Sequence, residues 1–206
     1  MKNKFLYLGL CILLFAACKN NKTEEKKECC KKPESSASST YNGDVTLHDI
    51  SSAWTTQDNK TLLLKDIQSK VIVAAMIFTN CQGACPRITA DLQRIEKVIP
   101  ADKLKEVTFL LISMDPERDT PEQLTGFANE HQLDLKRWIL LTGSESDVLE
   151  ISNVLNVRIK KNDDGTFDHS NIIHIINGKG NIVHQQVGLA MEPTESLEKI
   201  NELLAE

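Results

Sequence analysis

Three apolar segments stand out along the chain, at residues 71–78, 107–114 and 138–141. Short apolar runs without alternating polar positions are typical of strands that are buried on both faces of a sheet. Each run is followed by residues that predict a helix, over residues 86–98, 121–132 and 144–155. Thr120 and Ser144 are suited to cap the second and third helices. Buried strands that alternate with helices predict a parallel α/β core.

Shorter patterns flank this core on both sides. Strand-like segments cover residues 45–50, 53–56, 62–64, 172–177 and 181–186. The last two segments flank Gly178-Lys179-Gly180 and predict an antiparallel hairpin, while residues 193–204 predict a closing amphipathic helix. The whole order predicts an α/β, thioredoxin-like fold, with a central mixed sheet, flanking helices and an N-terminal strand extension.

Residues 1–18 have the pattern of an export signal. Lys2 and Lys4 precede an apolar stretch over residues 5–17, which is shorter than the about 20 residues needed to span a bilayer. Leu14-Phe15-Ala16-Ala17-Cys18 then resembles a bacterial lipobox, in which Cys18 becomes the lipidated N-terminus. We therefore predict a membrane-anchored lipoprotein that faces the periplasm or lies in the cell envelope. A plain secretory signal is the alternative.

Residues 19–41 predict a flexible tether. They are rich in Lys, Glu and Ser and contain almost no large apolar side chains, so they cannot bury enough surface to fold. Residues 42–206 remain, which are enough for one domain with a sizeable core. The formal net charge of −5 arises from scattered charges of both signs, and this pattern gives no indication of nucleic acid binding.

Only two of the six cysteines belong to the predicted domain. The others are removed with the signal, lipidated, or located in the tether: Cys11, Cys18, Cys29 and Cys30. Cys81 and Cys85 remain, and a close pair of thiols in an exported protein is seldom incidental because the compartment is oxidising.

Cys81-Gln-Gly-Ala-Cys85-Pro86 joins the first buried strand to the first helix. Three residues separate the thiols, whereas the redox CxxC motif has two, and Pro86 is suited to the first helical turn. The partial positive charge at a helix N-terminus favours the thiolate, which is both the nucleophile and the metal-binding form. The pair can close a disulfide or hold one soft metal ion, and its spacing does not decide between them.

His169 is the candidate for a third residue of this site. Among five histidines, it lies in a predicted loop just before the hairpin, from which it could swing toward the thiols. Two thiolates and one imidazole suit copper, as Cu(I) or Cu(II), because they form a soft ligand set of low coordination number. Zinc prefers four ligands, and this domain offers no obvious fourth one. Iron–sulfur clusters usually require four cysteines.

Three segments resemble motifs of the Sco/SenC copper proteins of cytochrome c oxidase assembly. They are Phe78-Thr-Asn-Cys81-Gln-Gly-Ala-Cys85-Pro86, Ile112-Ser-Met-Asp-Pro-Glu-Arg-Asp-Thr-Pro121 and Asp168-His169-Ser170. The likeness covers roughly residues 41–206 in the same order. Their joint occurrence is specific, although any single motif would be weak.

The resemblance implies a thioredoxin-like domain with Cys81, Cys85 and His169 as copper ligands. It implies a metallochaperone that delivers copper to the dinuclear copper site of apo cytochrome c oxidase subunit II. The resemblance does not identify the protein that donates the copper. Asp115 and Asp119 match the family's acidic loop, either as groups that orient the ligands or as capping groups before the second helix. Many family members have a transmembrane anchor, whereas this chain is predicted to use the lipidated Cys18.

Two other functions would use the same thiols. A thiol–disulfide oxidoreductase acting on partner cysteines needs Cys81 and Cys85 as a redox pair and does not need His169. A peroxidase-like enzyme needs one reactive cysteine and a supporting arginine; Arg87 is adjacent in sequence, but the Cys-x3-Cys spacing argues against it. Whether the protein is an enzyme therefore stays open. If the protein transfers copper, the imidazole or a thiolate has to leave the ion quickly, so we expect a mobile segment around His169.

Overall fold

The computed structural model describes residues 45–206. The predicted signal and lipidated Cys18, the tether and Cys29-Cys30 lie outside the described residues. Within residues 45–206, no helix has the length and apolar character needed to cross a membrane.

Nine strands and four α-helices make up the described part of the chain. The strands are β1 Ala53–Thr56, β2 Thr61–Leu63, β3 Val71–Ile77, β4 Val107–Ser113, β5 Trp138–Thr142, β6 Ile159–Lys161, β7 Phe167–His169, β8 Ile172–Asn177 and β9 Ile182–Val187. The helices are α1 Ala84–Val98, α2 Pro121–Glu130, α3 Glu145–Val154 and α4 Thr194–Ala205.

Seven strands form one mixed sheet in the order β2-β1-β5-β4-β3-β8-β9. β3, β4 and β5 run parallel, with Val71 beside Val107 and Phe109 beside Trp138. β1, β8 and β9 join antiparallel at the two sides. The predicted parallel core, late hairpin and N-terminal strand extension are therefore confirmed.

The centre of the sheet is a closely packed platform. Every residue of β3 is buried, and the Phe109 ring stacks on Trp138 with ring centroids 4.8 Å apart. α1 places Ile88, Leu92 and Ile95 against the core, where none has any exposed surface. Burial of such a side chain contributes about 1.5–3 kcal/mol, so the carboxyl ends of β3 and β4 are fixed points for the loops that follow them.

Local sequence signals set the helix boundaries. The Thr120 hydroxyl accepts a hydrogen bond from the Gln123 backbone N–H, and Ser144 forms a reciprocal capping box with Asp147, so both predicted caps are confirmed. α1 begins at Ala84, slightly earlier than predicted. Cys85 therefore lies in its first turn, together with Pro86.

The prediction of a strand over residues 45–50 is wrong. The chain forms a short 3₁₀ helix at Leu47–Asp49 instead. The Asp49 carboxylate accepts a 2.7 Å hydrogen bond from the Thr46 backbone N–H, which closes the turn locally. The Leu47 side chain is fully buried, and its backbone N–H donates to Gly180 O at 2.8 Å. The segment is thus attached to the β8–β9 turn by this hydrogen bond and to the core by the Leu47 side chain.

The assignment of residue 169 to a loop is also wrong. β6 and β7 pair antiparallel as a separate two-stranded sheet, and His169 is the last residue of β7, opposite Ile159. These strands have little sequence signal, because each has only three residues and the segment between them is largely polar.

His174 is a histidine inside the main sheet, on β8. Its side chain is fully buried, and Nε2 lies 2.8 Å from the Leu155 carbonyl oxygen, while Nδ1 has no partner. Burial lowers the pKa of His174 to about 4, although the Leu155 and Ala74 backbone groups oppose this shift. The imidazole is therefore neutral in the folded protein at neutral pH.

We expect His174 to make the folded state less stable as the pH falls from about 6.5 toward 4. Above the unfolded pKa of about 6.5 the imidazole is neutral in both states; below it only the unfolded chain takes up a proton, until the folded pKa is reached. From about pH 7 to pH 5 this group should remove about 2 kcal/mol from the free energy of unfolding. Urea unfolding at both pH values measures it.

His174→Gln keeps a donor for Leu155 O and should lose this part of the pH dependence. The matched control is His131→Gln, since His131 lies half-buried at the end of α2. An equal pH dependence in the wild type and His174→Gln would contradict the assignment.

Candidate metal centre

The two cysteines of the predicted site lie where β3 passes into α1. Cys81 precedes the helix and is half-buried, and Cys85 is buried in the first turn. The Phe78 backbone N–H donates to Cys85 Sγ at 3.4 Å, and the Cys85 backbone N–H donates to Cys81 Sγ at 3.4 Å. The Cys85 N–H at the start of α1 therefore points at the Cys81 sulfur, as N–H groups of a helix N-terminus do toward an anion, whereas the Phe78 N–H at the end of β3 points at the Cys85 sulfur.

The environments of the two thiols differ strongly. Burial works against the Cys81 thiolate, but the N–H groups of Cys85, Gly83 and Ala84 together lower the pKa of Cys81 below its ordinary value. Burial raises the pKa of Cys85 far above its ordinary value, and the neighbouring Cys81 charge adds to this effect. Cys81 is therefore the outer thiol and the one that ionises more easily, whereas the Cys85 thiol holds its proton more firmly.

His169 approaches the inner thiol. Its Nε2 lies 4.0 Å from Cys85 Sγ, and its Nδ1 lies 3.2 Å from the carbonyl oxygen of Ser170. A proton on Nδ1 would satisfy that carbonyl and leave the Nε2 lone pair facing the sulfur, which is the arrangement of a metal-binding imidazole. Burial lowers the pKa of His169, against the opposing effects of Ser170 and Asp168, and so favours the neutral ring.

Two of the three predicted ligands line one cleft of about 610 Å³. Cys81 and His169 line it, whereas the other histidines of the chain do not, and Cys85 lies buried beside it. Within residues 45–206, no three Cys, His, Asp or Glu side chains are already gathered closely enough to hold a metal ion. Metal–sulfur and metal–nitrogen bonds of about 2.0–2.3 Å hold the two donor atoms about 3.5–4 Å apart on one ion. The 4.0 Å between Cys85 Sγ and His169 Nε2 is therefore close to the separation that a shared ion needs.

Asp119 ties the cysteine loop to the end of β4. Its buried carboxylate accepts hydrogen bonds from the Thr79 backbone N–H at 3.1 Å, the Thr79 hydroxyl at 2.6 Å and the Ser113 hydroxyl at 2.5 Å. Burial raises the pKa of Asp119, although the Ser113 and Thr79 donors oppose the shift. Capping of α2 is performed by Thr120, so Asp119 holds the loop instead.

Two aromatic side chains at the cleft were missed by the sequence reasoning. The Phe78 ring meets the His169 ring edge-on, with centroids 6.1 Å apart, and the Phe167 ring lies 5.1 Å from Phe78. Phe78 is the first residue of the cysteine motif and Phe167 lies two residues before His169, which are the signals that could have drawn attention to them. They provide an apolar wall on which the imidazole rests.

Arg87 does not take the place that a peroxidase-like site would require. It is exposed on α1, does not line the cleft, and makes no hydrogen bond to either thiol within the described residues. The structure therefore gives no support to the peroxidase-like alternative.

Comparison with known proteins gives a consistent result. The model of the SCO1/SenC family matches residues 48–205. The SCO1 protein homolog of Bacillus subtilis (strain 168) is 30% identical over 144 residues, which is 68% of this chain and 74% of that protein.

Solved structures agree with this match. The crystal structure of a SCO1/SenC family lipoprotein from Bacillus anthracis has a TM-score of 0.67 and 33% identity, covering 75% of this chain and 93% of that one. The structure of Bradyrhizobium japonicum ScoI with copper bound has a TM-score of 0.57 and 25% identity, covering 73% and 96%. The thioredoxin-like fold predicted from the sequence is therefore the fold of this chain.

Proposed function

Because this chain belongs to the SCO1/SenC family, we propose that it is a copper metallochaperone that binds one copper ion through Cys81, Cys85 and His169. The observation that carries the proposal is the approach of His169 Nε2 to 4.0 Å from Cys85 Sγ, across more than 80 residues of sequence. The copper-bound structure of the Bradyrhizobium japonicum relative supports the choice of metal.

The arrangement suits an ion that has to arrive and leave. Cys81 and His169 line the open cleft, so an incoming ligand from a partner can reach the metal on their side. Cys85 lies deeper and would be the last ligand to dissociate from the copper ion. Its thiol releases a proton when copper binds, because the metal takes the thiolate. Copper is the cargo of this site, and ligand exchange transfers it without a change in the protein's covalent structure.

We further propose that the recipient is apo cytochrome c oxidase subunit II, at its dinuclear copper site. The support is the joint occurrence of the three family motifs around this cleft, which include the Asp119 contacts that hold the cysteine loop. These motifs do not identify the protein that supplies the copper.

Removal of the imidazole should weaken copper binding. We expect His169→Ala to lower the affinity of the reduced protein for one equivalent of Cu(I) about 100-fold, because it deletes a ligand rather than an outer partner. Competition with a chromophoric Cu(I) chelator measures this. Cys11, Cys18, Cys29 and Cys30 are replaced by serine in every protein compared, including the one that serves as wild type, so that only the two site thiols contribute.

His184→Ala is the matched control, since His184 is a half-buried histidine of β9 that does not line the cleft. Equal affinity in the wild type and His169→Ala would overturn the three-ligand site. The same proteins test delivery: the copper-loaded wild type should generate the absorption of the dinuclear centre in copper-free subunit II, and failure to do so would contradict that step.

Thiol–disulfide exchange is the second candidate function. It is favoured by the hydrogen-bonding contact between the two thiols, of which Cys81 is the more exposed. The Cys81 thiolate would attack a partner disulfide and form a mixed disulfide, releasing one partner thiolate. Cys85 would then lose its proton and displace the second partner thiolate, so that two electrons pass to the partner and a Cys81–Cys85 disulfide remains.

The two functions respond differently to the same substitution. His169→Ala should reduce a model disulfide at close to the wild-type rate, because exchange needs only the thiols, whereas Cys81→Ser should abolish it. The measurement follows thiol release from a chromogenic disulfide by the reduced proteins. A parallel loss of reduction and copper binding in His169→Ala would rule out an exchange function that is independent of the histidine.

Membrane attachment through a lipid on Cys18 is also a proposal, supported by the lipobox-like sequence and by the lipoprotein relative from Bacillus anthracis. Cys18→Ala should move the protein from the membrane fraction to the soluble fraction. Retention of the variant in the membrane fraction would contradict the lipid anchor.

A further inference from the structure

The hairpin that carries His169 is not part of the main sheet. β6 and β7 hydrogen-bond to each other in a separate two-stranded sheet, whereas both cysteines follow a central strand of the seven-stranded sheet. A two-stranded ribbon alone is marginally stable in water. The position of His169 must therefore depend on contacts that the hairpin makes with the rest of the domain.

Arg118 provides one such contact from the loop after β4. Its Nε donates to the carboxylate of Asp115, and its Nη2 donates to the carbonyl oxygen of Gly165 in the turn between β6 and β7. Asp115 is only 1% exposed, so this ion pair lies partly out of water. Charge-assisted hydrogen bonds of this kind are about twice as strong as neutral ones.

Two further contacts act on the same hairpin. Lys161 Nζ of β6 lies 2.5 Å from the Glu117 carboxylate in the loop after β4, although both side chains are about half exposed. The Arg118 guanidinium carbon and Lys161 Nζ each lie 6.0 Å from the centroid of the Phe167 ring. Phe167 also packs against Phe78, which directly follows β3 and begins the loop to the cysteines. Because Asp115 is buried whereas Lys161 and Glu117 are exposed, the Arg118 contact should contribute more than the Lys161 pair.

We propose that Arg118 is a positioning residue for copper binding, which fixes the β6–β7 hairpin through Gly165 and so holds His169 beside Cys85. This inference rests on the proposed role of His169 as a ligand. It assigns no contact between Arg118 and the metal. The guanidinium acts through the backbone of the turn at Gly165, which lies two residues before Phe167 and four residues before His169. The loop after β4 thereby acts on both halves of the site, through Asp119 on the cysteines and through Arg118 on the histidine.

The chain contains a matched control for Arg118. Arg94 also pairs with an aspartate three residues earlier, Asp91, and also donates to the carbonyl of a distant loop, at Met191. Its side chain is 44% exposed, against 38% for Arg118. Arg94→Gln therefore removes a similar bridge that does not touch the hairpin.

Hydrogen exchange in the copper-free, reduced protein tests the structural half of the proposal. Arg118→Gln should speed exchange about tenfold at the hairpin amides of Asn162, Gly165 and Ser170, relative to the wild type and Arg94→Gln. The paired variant Asp115→Asn/Arg118→Gln, which leaves no buried charge unpaired, should show the same local increase. Hairpin exchange at the wild-type rate in these variants would overturn the proposal.

Copper affinity tests the functional half in a double-mutant cycle. Arg118→Gln should weaken Cu(I) binding about tenfold when His169 is present and should have no further effect in His169→Ala. Equal weakening in both backgrounds would show that Arg118 acts on the cysteines or on general stability and would overturn the proposal. If His169→Ala alone left the affinity unchanged, the ligand set would fail, while the hairpin exchange would still report separately on the Arg118 contact.

Discussion

Parallel pairing of β3 with β4 is the constraint on which the site depends. The register places Ile77 beside Ser113, and the Met114 backbone N–H continues the ladder to the Ile77 carbonyl at 2.8 Å. Two loops therefore leave the same edge of the sheet side by side. This is why the carboxylate of Asp119 reaches Thr79, 40 residues away in sequence, and holds the loop that leads into the cysteines.

The same edge produces two unlike thiols from one short motif. The start of α1 supplies N–H groups to Cys81, while the buried side of the first turn encloses Cys85 in apolar surroundings. Helix polarity favours charge on the outer sulfur, and desolvation disfavours it on the inner one. A soft cation that binds both sulfurs removes the conflict, because it replaces the inner proton with a positive charge at the same place.

The third residue of the site is held differently from the first two. The cysteines are fixed by the core of the main sheet, whereas His169 belongs to a short ribbon attached through Arg118, Lys161 and Phe167. A carrier benefits from such unequal support, since a ligand held by a few side-chain contacts can leave before the ligands that the core fixes. Mobility of the segment around His169 stays a prediction, and the structure changes its setting, because His169 ends a strand rather than lying in a loop.

Much of the fold could be predicted because its signals are local or periodic. The buried runs of β3 and β4, the caps Thr120 and Ser144, and the turn at Gly178-Lys179-Gly180 each follow from side-chain type and spacing. The segment before residue 50 was predicted wrongly because the Thr46–Asp49 bonds outweighed its strand-like pattern. The β6–β7 hairpin was missed because three-residue polar strands have almost no periodicity.

The candidate site likewise has features with a local sequence signal and features that depend on long-range packing. The sequence alone determined which residues could supply soft ligands, because sulfur and imidazole are properties of the side chains and the motifs mark their positions. Only the tertiary structure decided that Cys81 is the outer thiol, that Asp119 binds Thr79 rather than capping α2, and that Arg118 reaches Gly165. Those facts depend on burial and on contacts between residues about 40 or more positions apart, which are fixed by the packing of the whole chain and by no local pattern.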